Sequence, residues 1–142
     1  MCTALLIIDV QQALCSGVGE VFEAARVIEN INLAEAKARD ARVLVVLIQH
    51  ETDEGSFVYG SLGWQLADGL GVEPSDIRIR KRAPDSFHRA ELKELLEQHN
   101  IDRLVICGLH FKCFHYNIAV FIYNTSAHFV YIYFVSIFIA FF

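Results

Sequence analysis

The chain has 142 residues, a formal net charge of −5, and 54% hydrophobic residues. That is enough for one domain with a true core, and too apolar for a disordered chain. No basic patch stands out, so nucleic acid is excluded as a partner.

The first predicted element is a buried strand, Thr3–Val10, reading TALLIIDV. It is too short, and carries Asp9 too early, for a secretory leader. A turn region over Gln11–Gly19 leads to a helix predicted over Glu20–Asp40. Val21, Ala25, Ile28, Ile31 and Ala38 mark its inner face, with Glu23, Glu29, Glu35 and Lys37 off it. The unbroken branched run Arg42–Ile48 reads as a parallel strand covered on both sides. A long loop, His50–Gly63, is expected to run into a short helix near Trp64–Leu70. Loops of this length are commonly functional.

Ile77–Lys81 reads as a short edge strand. Ile77, Ile79 and Lys81 share one face, and Arg78, Arg80 and Arg82 the other. A lysine on an apolar face needs a partner, and Asp9 is the natural one. Pro84-Asp85-Ser86 then opens a helix expected over His88–Asn100, with Leu92, Leu95 and Leu96 inward. The last clear strand is Arg103–Cys107. The alternation predicts an α/β three-layer sandwich, an open parallel sheet with helices on both faces.

No Lys, Arg, Asp or Glu follows Lys112. Residues 113–142 therefore form an atypical, charge-free segment. Two structural readings stand open, beside a third in which a reading-frame change has replaced the native residues here. One is a membrane segment, against which the polar interruptions Asn117, Asn124 and His128 argue. The other is a helix over Cys113–Tyr123, an Asn-Thr-Ser turn and a buried strand, Phe129–Val135. The second predicts a homo-oligomer, dimer or tetramer, with Phe129–Phe142 at its interface.

Three strand ends bring chemistry: Asp9, Lys81 and, beyond Gly108, Cys113. In an open α/β sheet, ligands bind outside the carboxyl ends of the strands. An acid, a base and a thiol gathered there would be the kit for a cysteine-dependent hydrolase. A helix opening at Cys113 would favour its thiolate, and the backbone N–H groups of Leu109 and Cys113 would hold an oxyanion. Cys107, inside the strand, reads as structural. A Cys–His pair drawing on His110, His115 or His128 is the alternative way to activate the thiol. Phe57, Tyr59 and Trp64 would wall a substrate pocket, and Gln11 would touch substrate. The cysteines Cys2, Cys15, Cys107 and Cys113 lack CxxC spacing and read as free thiols in a cytoplasmic protein.

The segments ALLIIDVQQAL, GSFVYGSLGWQLADGL, KRAPDSFHRAELKELL and IDRLVICGL resemble the isochorismatase-like cysteine hydrolases in content and order. That superfamily includes nicotinamidases and N-carbamoylsarcosine amidase. The resemblance implies a single domain over residues 1–142, here without the family's final helix, and an Asp9–Lys81–Cys113 triad. It implies hydrolysis of a small amide or related C–N bond through a thioester. The alternatives are an inactive member acting as a structural subunit, and an isochorismatase-type vinyl-ether hydrolase. After Gly108-Leu109 the chain is one residue shorter than the family pattern before Cys113. Residues 114–117, Phe-His-Tyr-Asn, stand where the family has Val-Asp-Thr-Thr. His50-Glu51-Thr52-Asp53 lacks the Asp-x-His of metal-binding relatives, so no metal or other cofactor is expected.

Overall fold

A computed structural model describes residues 2–82, 90–109, 119–124 and 130–134. Strand β1 (Cys2–Ile8) lies at the centre of the sheet. It pairs in parallel with β2 (Leu44–His50) on one side and β4 (Ile101–Gly108) on the other, and β2 pairs in parallel with β3 (Ile77–Lys81). The order is β3-β2-β1-β4-β5-β6. Chain direction across the sheet therefore reverses between β1 and β4, the position where open α/β sheets place their ligands.

Helices α1 (Gln12–Cys15) and α2 (Ala24–Asp40) follow β1, and α3 (Ala90–Gln98) precedes β4. Leu5, Ile7, Val45, Leu47 and Cys107 face the α2 side, with Val27, Ile28 and Ile31 packed on them. Ala4, Leu6, Val46, Ile48 and Ile79 face the other side, under Leu92 and Leu96 of α3. Strand residues alternate between the two faces, and helices cover both, which gives the three-layer α/β sandwich.

Three expectations are corrected. The helix expected from Glu20 starts at Ala24, because Glu23 takes a left-handed conformation (φ 56°) that no helix continues through. The segment after Trp64 holds turns and an isolated bridge between Gln11 and Leu66, with no helix. The helix expected over Cys113–Tyr123 is replaced, where residues are described, by β5 (Ala119–Asn124), antiparallel to β4. Val120, Phe121, Ile122 and Tyr123 are strand formers. Only ten residues, 109–118, separate β4 from β5, and a parallel return needs a dozen or more. Strand β6 (Val130–Phe134) pairs antiparallel with β5 and falls inside the expected Phe129–Val135. Among the described residues, no helix is long and apolar enough to cross a membrane.

Glu35 is a fourth correction. Expected off the inner face, it is 0% exposed on the buried stripe of α2. Its spacing of i+4 from Ile31 and i−3 from Ala38 puts it there. Burial pushes its carboxyl up to about 7; Arg39 opposes this, and Asp76 and Glu73 add to it. The Arg39 guanidinium is 3.6 Å away. Between about 4.5 and 7 the folded chain holds a proton that the unfolded chain has lost. Stability should therefore fall as pH rises through that window and level off above it. Glu35→Gln should flatten the slope and raise stability at pH 8 by on the order of 1–3 kcal/mol. Urea unfolding at pH 5 and pH 8 measures both.

Candidate active site

Strands β1 and β4 approach closely at their carboxyl ends. A Cβ on Gly108 would lie 2.0 Å from the Ile8 carbonyl oxygen, so only glycine fits. The next residue, Leu109, donates its N–H to that same oxygen at 3.0 Å. Beside it, just beyond the end of β1, stands Asp9, whose backbone is left-handed (φ 59°). Aspartate is one of the few side chains found in that region with any frequency. The turn is held by Asp9 N–H donating to Ile48 O at 2.9 Å, and by Gln11 N–H donating to Asp9 O at 2.9 Å. A strained residue held at a strand end by its neighbours suits a positioned reactive group.

Lys81 ends β3, two strands away. Its ammonium crosses the end of β2 and meets Asp9 Oδ2 at 2.9 Å, with the lysine side chain 7% exposed and the aspartate 20%. Ile77 and Ile79 share its face as the alternation implied. Stability is a weak reason to keep such a pair, since apolar residues of the same volume would serve as well or better. A carboxylate held in orientation by an ammonium at the carboxyl edge of the sheet is a reason of another kind.

Residues 51–66 build a wall beside this pair. The segment is stitched to the chain just after Asp9: Gln12 N–H donates to Gln65 O (2.8 Å), Ala13 N–H to Gly63 O (3.0 Å), and Ala67 N–H to Val10 O (3.0 Å). The Tyr59 and Trp64 rings meet edge-on at 4.8 Å between centroids. The Arg80 guanidinium sits 4.5 Å over the Tyr59 ring. Phe57 packs on the α2-side core and meets the His50 ring at 5.5 Å. The aromatic residues expected to wall a pocket thus lie on the segment tied to Asp9.

Two sequence expectations are corrected at this site. Gln11 was expected to touch substrate. It is fully buried, and its carboxamide is spent on backbone: Nε2 donates to His50 O (2.9 Å) and Trp64 O (2.8 Å), and Oε1 accepts from His50 N–H (2.7 Å). Leu109 was expected to donate to an oxyanion, but its N–H is committed to Ile8. A parallel neighbour strand that ends at the same level takes such a group first. Cys113 lies outside the described residues.

Sequence reading missed Glu51. Its buried carboxylate accepts from Arg82 Nη2 at 2.8 Å and faces Arg80 Nη1 at 3.4 Å, tying the start of the loop to β3. The outward alternation of Arg80 and Arg82 was the available signal. Among the described residues, no three His, Cys, Asp or Glu side chains are disposed to hold a metal ion. Cys2, Cys15 and Cys107 are free. Burial pushes the Cys107 thiol up to about 12, with the Glu35 charge as a second cause, so it stays a thiol. A cavity of about 800 Å³, lined by Thr3, Arg42, Asp76 and His99 among others, opens at the other end of the strands. It is at the amino edge, away from Asp9 and Lys81.

Streptothricin hydrolase of Streptomyces noursei is 36% identical over 107 residues, covering 75% of this chain and 39% of that protein. Ureidoacrylate amidohydrolase RutB of Cronobacter sakazakii is 29% identical over 144 residues, covering 75% and 62%. A solved isochorismatase from Pseudomonas putida KT2440 superposes with a TM-score of 0.69 at 28% identity, covering 75% of this chain and 56% of that one. The chain therefore spans between 39% and 62% of the length of these two curated relatives. The isochorismatase domain model matches residues 3–122. Because that match runs through every strand of the parallel sheet and through both Asp9 and Lys81, the chain belongs to the isochorismatase domain family.

Proposed function

We propose that this chain hydrolyses a small amide or related C–N bond, with Asp9, Lys81 and Cys113 as its reacting set. The observation that carries the reading is the 2.9 Å Asp9–Lys81 pair at the carboxyl edge of the sheet. The names of the relatives, a streptothricin hydrolase and a ureidoacrylate amidohydrolase, support the reaction class. Cys113 is four residues beyond Leu109, which is anchored beside Asp9. A chain of four residues is a tether of at most about 14 Å.

In this mechanism Asp9 takes the thiol proton, and the thiolate attacks the carbonyl carbon. The charge on oxygen is met by backbone N–H groups beyond Leu109, including that of Cys113. Lys81 keeps Asp9 oriented and offsets its charge. The C–N bond breaks as Asp9 returns the proton to the leaving nitrogen. Water then adds to the thioester with Asp9 again as base, releasing the acid and restoring the thiol. Tyr59 and Trp64 would bound the substrate, a small molecule. The same proposal includes a cytoplasmic location, which the free thiols fit, and a homo-oligomer burying the charge-free segment; sedimentation at low micromolar concentration reads the latter.

The test is ammonia or amine release by the full chain from a panel of primary carboxamides, N-carbamoyl compounds and ureido acids. Turnover by the wild type and its loss in Asp9→Asn are expected. No release from any member of the panel would overturn the reading in favour of a non-catalytic subunit.

A further inference from the structure

We propose that Gln11 and Gln49 are positioning residues for this reaction, clamping the Trp64 wall in register with the Asp9 turn. The proposal rests on the reading of Asp9 as the base.

Both side chains are buried, at 0% and 2% exposure. Both donate to one acceptor, the Trp64 carbonyl oxygen: Gln11 Nε2 at 2.8 Å and Gln49 Nε2 at 3.0 Å. A carbonyl oxygen has two lone pairs, so this pair saturates it. Burying two carboxamides is costly unless their groups are satisfied, and here they are satisfied by backbone groups of Trp64 and His50 that would otherwise lose these partners. What the amides provide is a directional lock. Trp64 lies 15 residues from Gln49 and 53 from Gln11 in sequence.

Gln11 also links the wall to the base. It lies two residues beyond Asp9 and donates its own N–H to the Asp9 carbonyl. Its carboxamide meanwhile pairs with both the N–H and the carbonyl of His50, as a neighbouring strand would. One residue therefore holds the Asp9 turn, the end of β2 and the Trp64 segment. Tyr59 and Arg80 extend the same wall to β3, the strand that carries Lys81. Displacing Trp64 should therefore change how substrate sits, and displacing Gln11 should disturb the base as well.

The experiment uses Gln49→Met and Gln11→Met in the full chain. Trp64 is the sole tryptophan, so its fluorescence reports the wall directly. Acrylamide quenching should rise about twofold or more in both variants, with helical circular dichroism unchanged. On an amide turned over by the wild type, Gln49→Met should raise KM about tenfold with kcat nearly constant. Gln11→Met should lower kcat as well. Gln49→Glu should behave as wild type while its carboxyl is protonated and can donate, and as Gln49→Met at higher pH; a residue that merely fills space would show no such rescue. Quenching unchanged in Gln49→Met, or raised quenching with KM unaltered, overturns the proposal. Should Gln11→Met not fold, slow solvent exchange of the Gln11 side-chain N–H₂ in the wild type, relative to exposed Gln98, is the expected result, and fast exchange overturns it. A wild type with no amide turnover defeats the reaction reading alone, because the quenching result does not depend on it.

Discussion

Cys113→Ala is expected to remove amide hydrolysis, by about 10,000-fold or more, because no other group in the proposed set can form the thioester. Folding should change little. The same thiol should alkylate with iodoacetamide well ahead of two of the other cysteines. Burial, with Glu20 second, pushes the Cys15 thiol up to about 11, and Cys107 lies higher still at about 12. At pH 7 a thiol at 11 is ionised to only about one part in 10,000, and the thiolate is the nucleophile. Cys2 is exposed and should be replaced by Ser so that it does not compete. Peptide mapping after a short alkylation near neutral pH reads the result. Labelling of Cys113 no faster than Cys15, with turnover intact in Cys113→Ala, would sink the covalent mechanism.

Lys81→Met should separate charge from packing. The methionine keeps most of the side chain's volume against Ile79 but leaves Asp9 without the ammonium. Turnover should fall about 100- to 1,000-fold, the usual scale for removing a preorganised charge from a reaction centre. Stability should fall by about 2–3 kcal/mol, less than for a fully buried broken pair, since Asp9 keeps some contact with water. The double variant Asp9→Asn with Lys81→Met should recover most of that stability and none of the activity. Denaturant unfolding of the two single variants and the double variant tests this. If Lys81→Met is as stable and as active as the wild type, the pair is not the centre of the site.

The placement of Asp9 against Lys81 is legible in the sequence. Apolar runs of strand length end on these residues, and alternation in β3 put the lysine on the inward face with Ile77 and Ile79. A period of two and a period near four are properties of the local backbone, so they survive into any fold the chain adopts. Glu35 is legible too, by its spacing of four from Ile31, although an acidic residue on a buried stripe is easily assigned outward by its charge alone.

Other features had no local signature. Glu23 breaks the helix through its backbone conformation, which its residue type does not favour. The antiparallel turn-back at β5 follows from a connection too short for a crossover, whereas the helical reading rested on residues equally at home in a strand. Gln11 looked like a substrate contact because it is polar and lies just beyond the reacting acid. Only the approach of His50 and Trp64, 39 and 53 positions away, shows that its amide is already occupied. Leu109 lost its proposed role to the end of β1 for the same reason. Short-range periodicity thus sets the layers, the inward faces of the strands and the acid–lysine pair, and the inner face of α2 only in part, since Ala25, expected inward, is exposed and Glu35, expected outward, is buried. The tertiary structure alone decided which polar groups remain for substrate, because a hydrogen-bond donor's availability depends on every segment that folding brings within about 3 Å of it.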